Sequence, residues 1–149
     1  MTAQEALRAA LRDLGPAARR QGYKGSALNW RKSSAAGDRA VVNVQSSSFS
    51  SADHLQCVVN LAFAPEPWRR WQAENLGADK PKSMSESLGL YRERLHPEGT
   101  PEDTDGWWDV ADDESARLVA CRCSVSGCLA GKLGLAGHAS SAPHRASPP

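Results

Sequence analysis

Two short segments, Ala40–Ser46 and Gln56–Ala64, alternate apolar with polar or small residues, and they nearly repeat each other as VVNVQ from Val41 and VVNLA from Val58. Side chains on a strand point to opposite faces in turn, so this alternation commits both segments to a sheet with one buried face. In the second segment Cys57, Val59, Leu61 and Phe63 share the predicted core face, and Val42 and Val44 match it in the first. Asn43 and Gln45 then fall on the opposite face, beside Asn60. Short turns make the arrangement an antiparallel meander.

The rest of the chain supplies further strands and two helices. Thr2 and Glu5 have the spacing of a capping box. Leu7, Leu11, Leu14 and Ala18 form one apolar stripe at helical spacing. Gly15-Pro16 interrupts the stripe, but Ala18 stays in phase, so the spacing predicts a kinked helix that runs to about Gln21 and closes at Gly22. Leu28 and Trp30 alternate with Asn29 and Arg31 as a first strand, and Ala36-Gly37-Asp38 turns the chain into the second.

Pro65 and Pro67 end the third strand. Trp68 to Glu86 reads mostly as a long loop, with a short helix near Trp68–Asn75. Leu88 to Leu95 and Gly106 to Val110 are the fourth and fifth strands. Asp112-Asp113-Glu114 opens a final helix, because negative charge is favourable at a helix N-terminus. The predicted fold is therefore α+β: an N-terminal helix, an antiparallel β meander of about five strands, and a C-terminal helix packed on the sheet. This single domain is expected over residues 1–120. Residues 121–149 are expected to be a low-complexity tail, either disordered or the product of a reading-frame change. No acidic residue follows Glu114, no aromatic follows Trp108, and small and polar residues dominate the end.

Several of these segments, in this order, resemble a bacterial family catalogued as domain of unknown function 4304. They are Gly22-Tyr23-Lys24, VVNVQSSS from Val41, VVNLAF from Val58, YRERL from Tyr91, and Trp107-Trp108, spanning roughly Ala6 to Val119. The resemblance implies a helix–meander–helix α+β fold and carries no activity.

Charge and composition exclude some function classes. A formal net charge of +1 over 149 residues removes any whole-chain argument for nucleic acid or acidic membrane binding. The charge is nevertheless segregated. Residues 1–40 hold eight Lys/Arg against three acids, and residues 98–114 hold eight acids and no Lys or Arg. Either the two segments face one another in the fold, or the acidic stretch is open to a basic partner. No apolar run approaches bilayer length, and MTAQEALRAALRDLG lacks the apolar core of a secretion signal. A cytoplasmic location is expected, with the four cysteines as thiols.

Candidate sites are few. Adjacent strand residues point to opposite faces, so one of Trp107 and Trp108 is expected on the second sheet face, near the Asn43, Gln45 and Asn60 amides. An indole among fixed amides suits recognition, since Trp is enriched at interface centres. These five residues are the predicted binding surface of a non-enzymatic module for a protein or small ligand, immunity-like or regulatory by analogy. The alternative is a small hydrolase that uses the loop serines with Asp53 and His54, although no strand–turn–helix elbow is present to expose a nucleophile. Cys121, Cys123 and Cys128 with His138 and His144 do not have structural-zinc spacing, so no metal site is predicted. The Trp68-Arg69-Arg70-Trp71 cluster reads as a packing anchor before a nucleic-acid contact. No cofactor is implied.

Overall fold

The two alternating segments pair with each other, as their matched patterns require. In the computed structural model, which describes residues 1–77 and 88–125, β3 (Arg39–Ser46) and β4 (Leu55–Ala64) run antiparallel. Their register sets Val42 against Leu61, Val44 against Val59 and Asn43 against Asn60. Val42, Val44, Cys57, Val59 and Leu61 are all buried on one face. A slip of one residue would exchange this row for the asparagines, so burial locks the register.

β2 (Asn29–Ser33) adds to the other edge of β3, with Trp30 opposite Val42. β1 (Lys24–Ser26) folds back on β2 around Ala27-Leu28. Lys24–Ser26 shows no alternation, so this strand is not announced in the sequence. It depends on Gly25, whose φ is +141° and where an added Cβ would meet the Asn29 carbonyl oxygen. β5 (Tyr91–Leu95) and β6 (Trp108–Val110) share the remaining edge of β4, β5 along Val59 to Phe63 and β6 along Leu55 to Cys57. Among the described residues these six strands form one antiparallel sheet, in the order β1-β2-β3-β4-β5 with β6 also beside β4. The fourth and fifth expected strands are thus present but shorter. Phe63 is a correction: it is half-buried and stacks on Tyr91 at 6.4 Å, away from the main core.

The helices cover the valine face. α1 (Ala3–Asp13) and α2 (Gly15–Arg20) break at Gly15-Pro16. Both halves of the capping box form: the Thr2 hydroxyl accepts from the Glu5 N–H at 3.2 Å, and the Glu5 carboxylate accepts from the Thr2 N–H at 2.7 Å. α4 (Asp113–Val125) starts on a similar device. Asp112 accepts from the Ser115 hydroxyl at 2.6 Å and from its backbone N–H at 2.8 Å, and these bonds hold the carboxyl below its ordinary pKa. Ala6, Leu7 and Leu11 of α1 join Ala116, Val119, Ala120 and Cys123 of α4 in one buried cluster with the sheet. α4 therefore continues past the expected limit at residue 120, and Cys123, assigned to the tail by composition, is core. The rest of that expected tail, 126–149, lies outside the described residues.

Among the described residues a helix covers one end of the opposite face. α3 (Glu66–Leu76) takes the first part of the expected long loop and is longer than the Trp68–Asn75 turn of helix anticipated there. Trp68 and Leu88 pack on Val41, Ala62 and Ala64, and both Trp68 Nε1 and Gln72 Nε2 donate to the Leu88 carbonyl at 3.1 Å. Residues 78–87 of that loop lie outside the described residues.

Cys57 sits fully buried opposite Trp108, and desolvation, with a contribution from nearby Asp109, pushes its thiol up to about 12. Cys57→Ser should cost about 1–3 kcal/mol in a denaturant titration, by placing a hydroxyl without a partner in this site. At pH 8 an alkylating reagent should modify exposed Cys121 in the native protein and reach Cys57 only after unfolding.

Candidate binding surface

The β2–β3–β4–β5 register places Asn29, Asn43, Asn60 and Arg94 directly across from one another on the outer face. They are bonded in series. Asn43 Nδ2 donates to Asn29 Oδ1 at 2.7 Å, Asn60 Nδ2 donates to Asn43 Oδ1 at 3.3 Å, and Arg94 Nε donates to Asn60 Oδ1 at 3.3 Å. Gln45 joins from its own row, its Oε1 accepting from Asn60 Nδ2 at 3.5 Å. Arg94 Nη1 closes the series on Asp105, 3.1 Å away.

Asn60, 9% exposed, is the buried centre, and its amide is satisfied on both sides. Gln45 and Asn29 are exposed at the margins. A shallow cavity of about 360 Å³ opens beside the series, lined by Gln45, Asn60, Arg92, Arg94 and Asp105 among others. The three predicted amides are therefore brought together. Asn29, Arg94 and Asp105 complete the set, and only the strand register identifies them.

The two tryptophans stand elsewhere. Trp108 pairs with Cys57 and so belongs to the core face, where it packs partly buried and donates through Nε1 to the Leu95 carbonyl at 3.0 Å. Trp107 precedes the first residue of β6, so strand alternation does not govern its direction. It lines a separate cavity of about 480 Å³ with Trp108, Leu118, Cys121 and Arg122 of the α4 side. The β6 residue on the outer face is Asp109, which accepts from Gln56 Nε2 at 3.1 Å. The expected indole beside the amide row is thus not observed. Trp68 and Trp71 stack at 5.2 Å within α3, while Arg70 bonds Glu66 at 2.6 and 3.0 Å and Arg69 bonds the Gly37 carbonyl. This cluster fastens α3.

The alternative hydrolytic set is not assembled. Ser51 Oγ accepts from the His54 backbone N–H at 3.1 Å and donates to the His54 carbonyl at 3.3 Å. The His54 ring, whose side chain is 53% exposed, faces Asp109 of β6 at 3.2 Å and not its neighbour Asp53. His96 is also structural: its Nδ1 accepts from the Gly106 N–H at 3.0 Å and pins the β5–β6 connection. Among the described residues no group of three or more His, Cys, Asp or Glu could hold a metal ion, and Cys128, His138 and His144 lie outside them. Among the same residues no helix is long and apolar enough to cross a membrane.

A family model described as Domain of unknown function (DUF4304) matches residues 14–124, from the end of α1 to the last turn of α4. No curated protein and no solved structure matches the chain.

The different placements of the two indoles predict different costs. Trp108→Ala removes a partly buried indole packed on the core together with its hydrogen bond, and should lower stability by about 3 kcal/mol in chemical denaturation. Trp107→Ala should leave the denaturation midpoint nearly unchanged, because its indole lines an open groove.

Proposed function

We propose, from the premise that the chain belongs to the DUF4304 family and from the geometry of its sheet, that the protein is a non-enzymatic binding module. Its recognition surface is the part of the outer sheet face that α3 leaves open, and the partner is a protein segment or a small ligand with complementary polar groups. The observation that carries this reading is the bonded series Asn29–Asn43–Asn60–Arg94 beside an open cavity. Strands lie about 4.8 Å apart, so the series presents amide groups at a fixed repeat. Each amide is held by the next, and groups held in place before binding lose little freedom when a ligand arrives.

The flanking Arg92, Arg94 and Asp105 add charge of both signs, which favours selectivity for a complementary partner over general adhesion. A bacterial regulatory or immunity-like role in the cytoplasm fits such a module.

The test leaves the buried Asn60 in place. Asn43→Ala with Gln45→Ala should keep the melting temperature within a few degrees of wild type. Wild-type and variant proteins are immobilised side by side and exposed to cell extract and to a panel of small metabolites. At least one protein or metabolite should be retained by wild type and lost by the variant. Equal retention by both proteins, or unfolding of the variant, would show that the amides serve the fold alone.

A further inference from the structure

Three of the eight basic residues of the N-terminal segment gather in one place. Arg8 and Arg12 of α1 and Arg19 of α2 line a groove of about 490 Å³, whose opposite wall is the β1–β2 hairpin at Ala27, Leu28 and Trp30. All three arginines are exposed. Arg8 and Arg12 are four residues apart and so occupy one face of α1. The Arg19 guanidinium lies over the Trp30 indole, 5.6 Å from the ring centroid, which holds it against the wall. We infer that this groove is a second ligand site, for a phosphate-bearing small molecule.

Charge selects the class. Glu5 is the one carboxylate of the lining, and it is already engaged by the Thr2 N–H and hydroxyl, so the lining keeps an excess of two positive charges. The acidic connection after β5 does not reach over to neutralise it. Asp105 of that connection pairs with Arg94 at the opposite edge of the sheet. A single carboxylate would leave the excess half compensated, whereas a phosphate monoester or a diphosphate carries two or more negative charges. Guanidinium groups also match phosphoryl oxygens in a two-bond fork. Ala27 and Leu28, half-buried in the wall, offer apolar surface to the organic part of such a ligand. The groove meets the outer sheet face at Asn29, which lines the groove and also ends the amide series, while its three arginines stand on α1 and α2 on the other side of the sheet.

Inorganic pyrophosphate titrated into the full chain by calorimetry, at constant ionic strength, tests the assignment. Wild type should bind, and Arg8→Gln with Arg12→Gln should weaken binding by roughly tenfold or more, about the loss of one charge-assisted hydrogen bond. Both side chains are exposed, and an unchanged melting curve will show that the variant is folded. Arg12→Gln alone, with a smaller loss in the same direction, serves if the double variant is not folded. Arg31→Gln removes an exposed arginine outside the groove and should bind like wild type. Succinate at the same ionic strength should give no comparable heat. The inference is overturned by an absence of pyrophosphate binding, by equal affinity of the folded groove variants, by an equal loss in Arg31→Gln, or by succinate binding as tightly as pyrophosphate.

Discussion

The fold depends on the β3–β4 register. That register fixes which side of the sheet receives helices, because it lines up Val42, Val44, Val59 and Leu61 on one face and Asn43 with Asn60 on the other. Among the described residues α1 and α4 remove the apolar row from water, and their own buried residues match it. The asparagine row is buried only where its amides bond one another, and α3 is confined to the Val41, Ala62 and Ala64 end. One pairing therefore decides both the core and the place left open for recognition.

β4 is also the strand on which distant segments meet. It pairs with β3 on one edge and with both β5 and β6 on the other, so residues more than fifty positions apart, such as Gln56 and Asp109, become neighbours. The β5–β6 connection leaves this edge and returns to it, held by the His96 and Gly106 contact. Segregated charge follows from the same order of strands. The arginine groove forms beside β1 and β2, while Asp105 pairs at the β5 edge. The arginine groove and the Arg94–Asp105 pair thus sit at separate edges of the sheet.

Local rules were enough to read much of this architecture. Alternation marked β3 and β4, the Thr2/Glu5 spacing marked the start of α1, and the phase of Ala18 across Gly15-Pro16 marked α2. The features that stayed hidden depend on tertiary pairing. β1 is held by β2 and by a backbone shape open only to Gly25, and neither leaves a hydrophobic period. Arg94 enters the amide series because β5 pairs with β4 in one particular register. Trp107 escaped the alternation argument because β6 begins one residue later. The end of α4 was hidden by composition, since small residues and cysteines read as a tail although Cys123 is buried. The three amides were legible as a row, while their bonding to Asn29 and Arg94 was not.

The shape of β1 has a consequence for how this protein behaves in a crowded solution. A sheet margin with free N–H and C=O groups invites a strand from another molecule, and long, flat, apolar margins are where aggregation starts. Here the margin is three residues long, all exposed, with Lys24 at its start and a glycine in a conformation that regular strands do not adopt at its middle. An incoming chain would find little length to pair with, no apolar side chain to cover and a charged group in its way. The sheet is thereby stopped from growing across molecules at this margin.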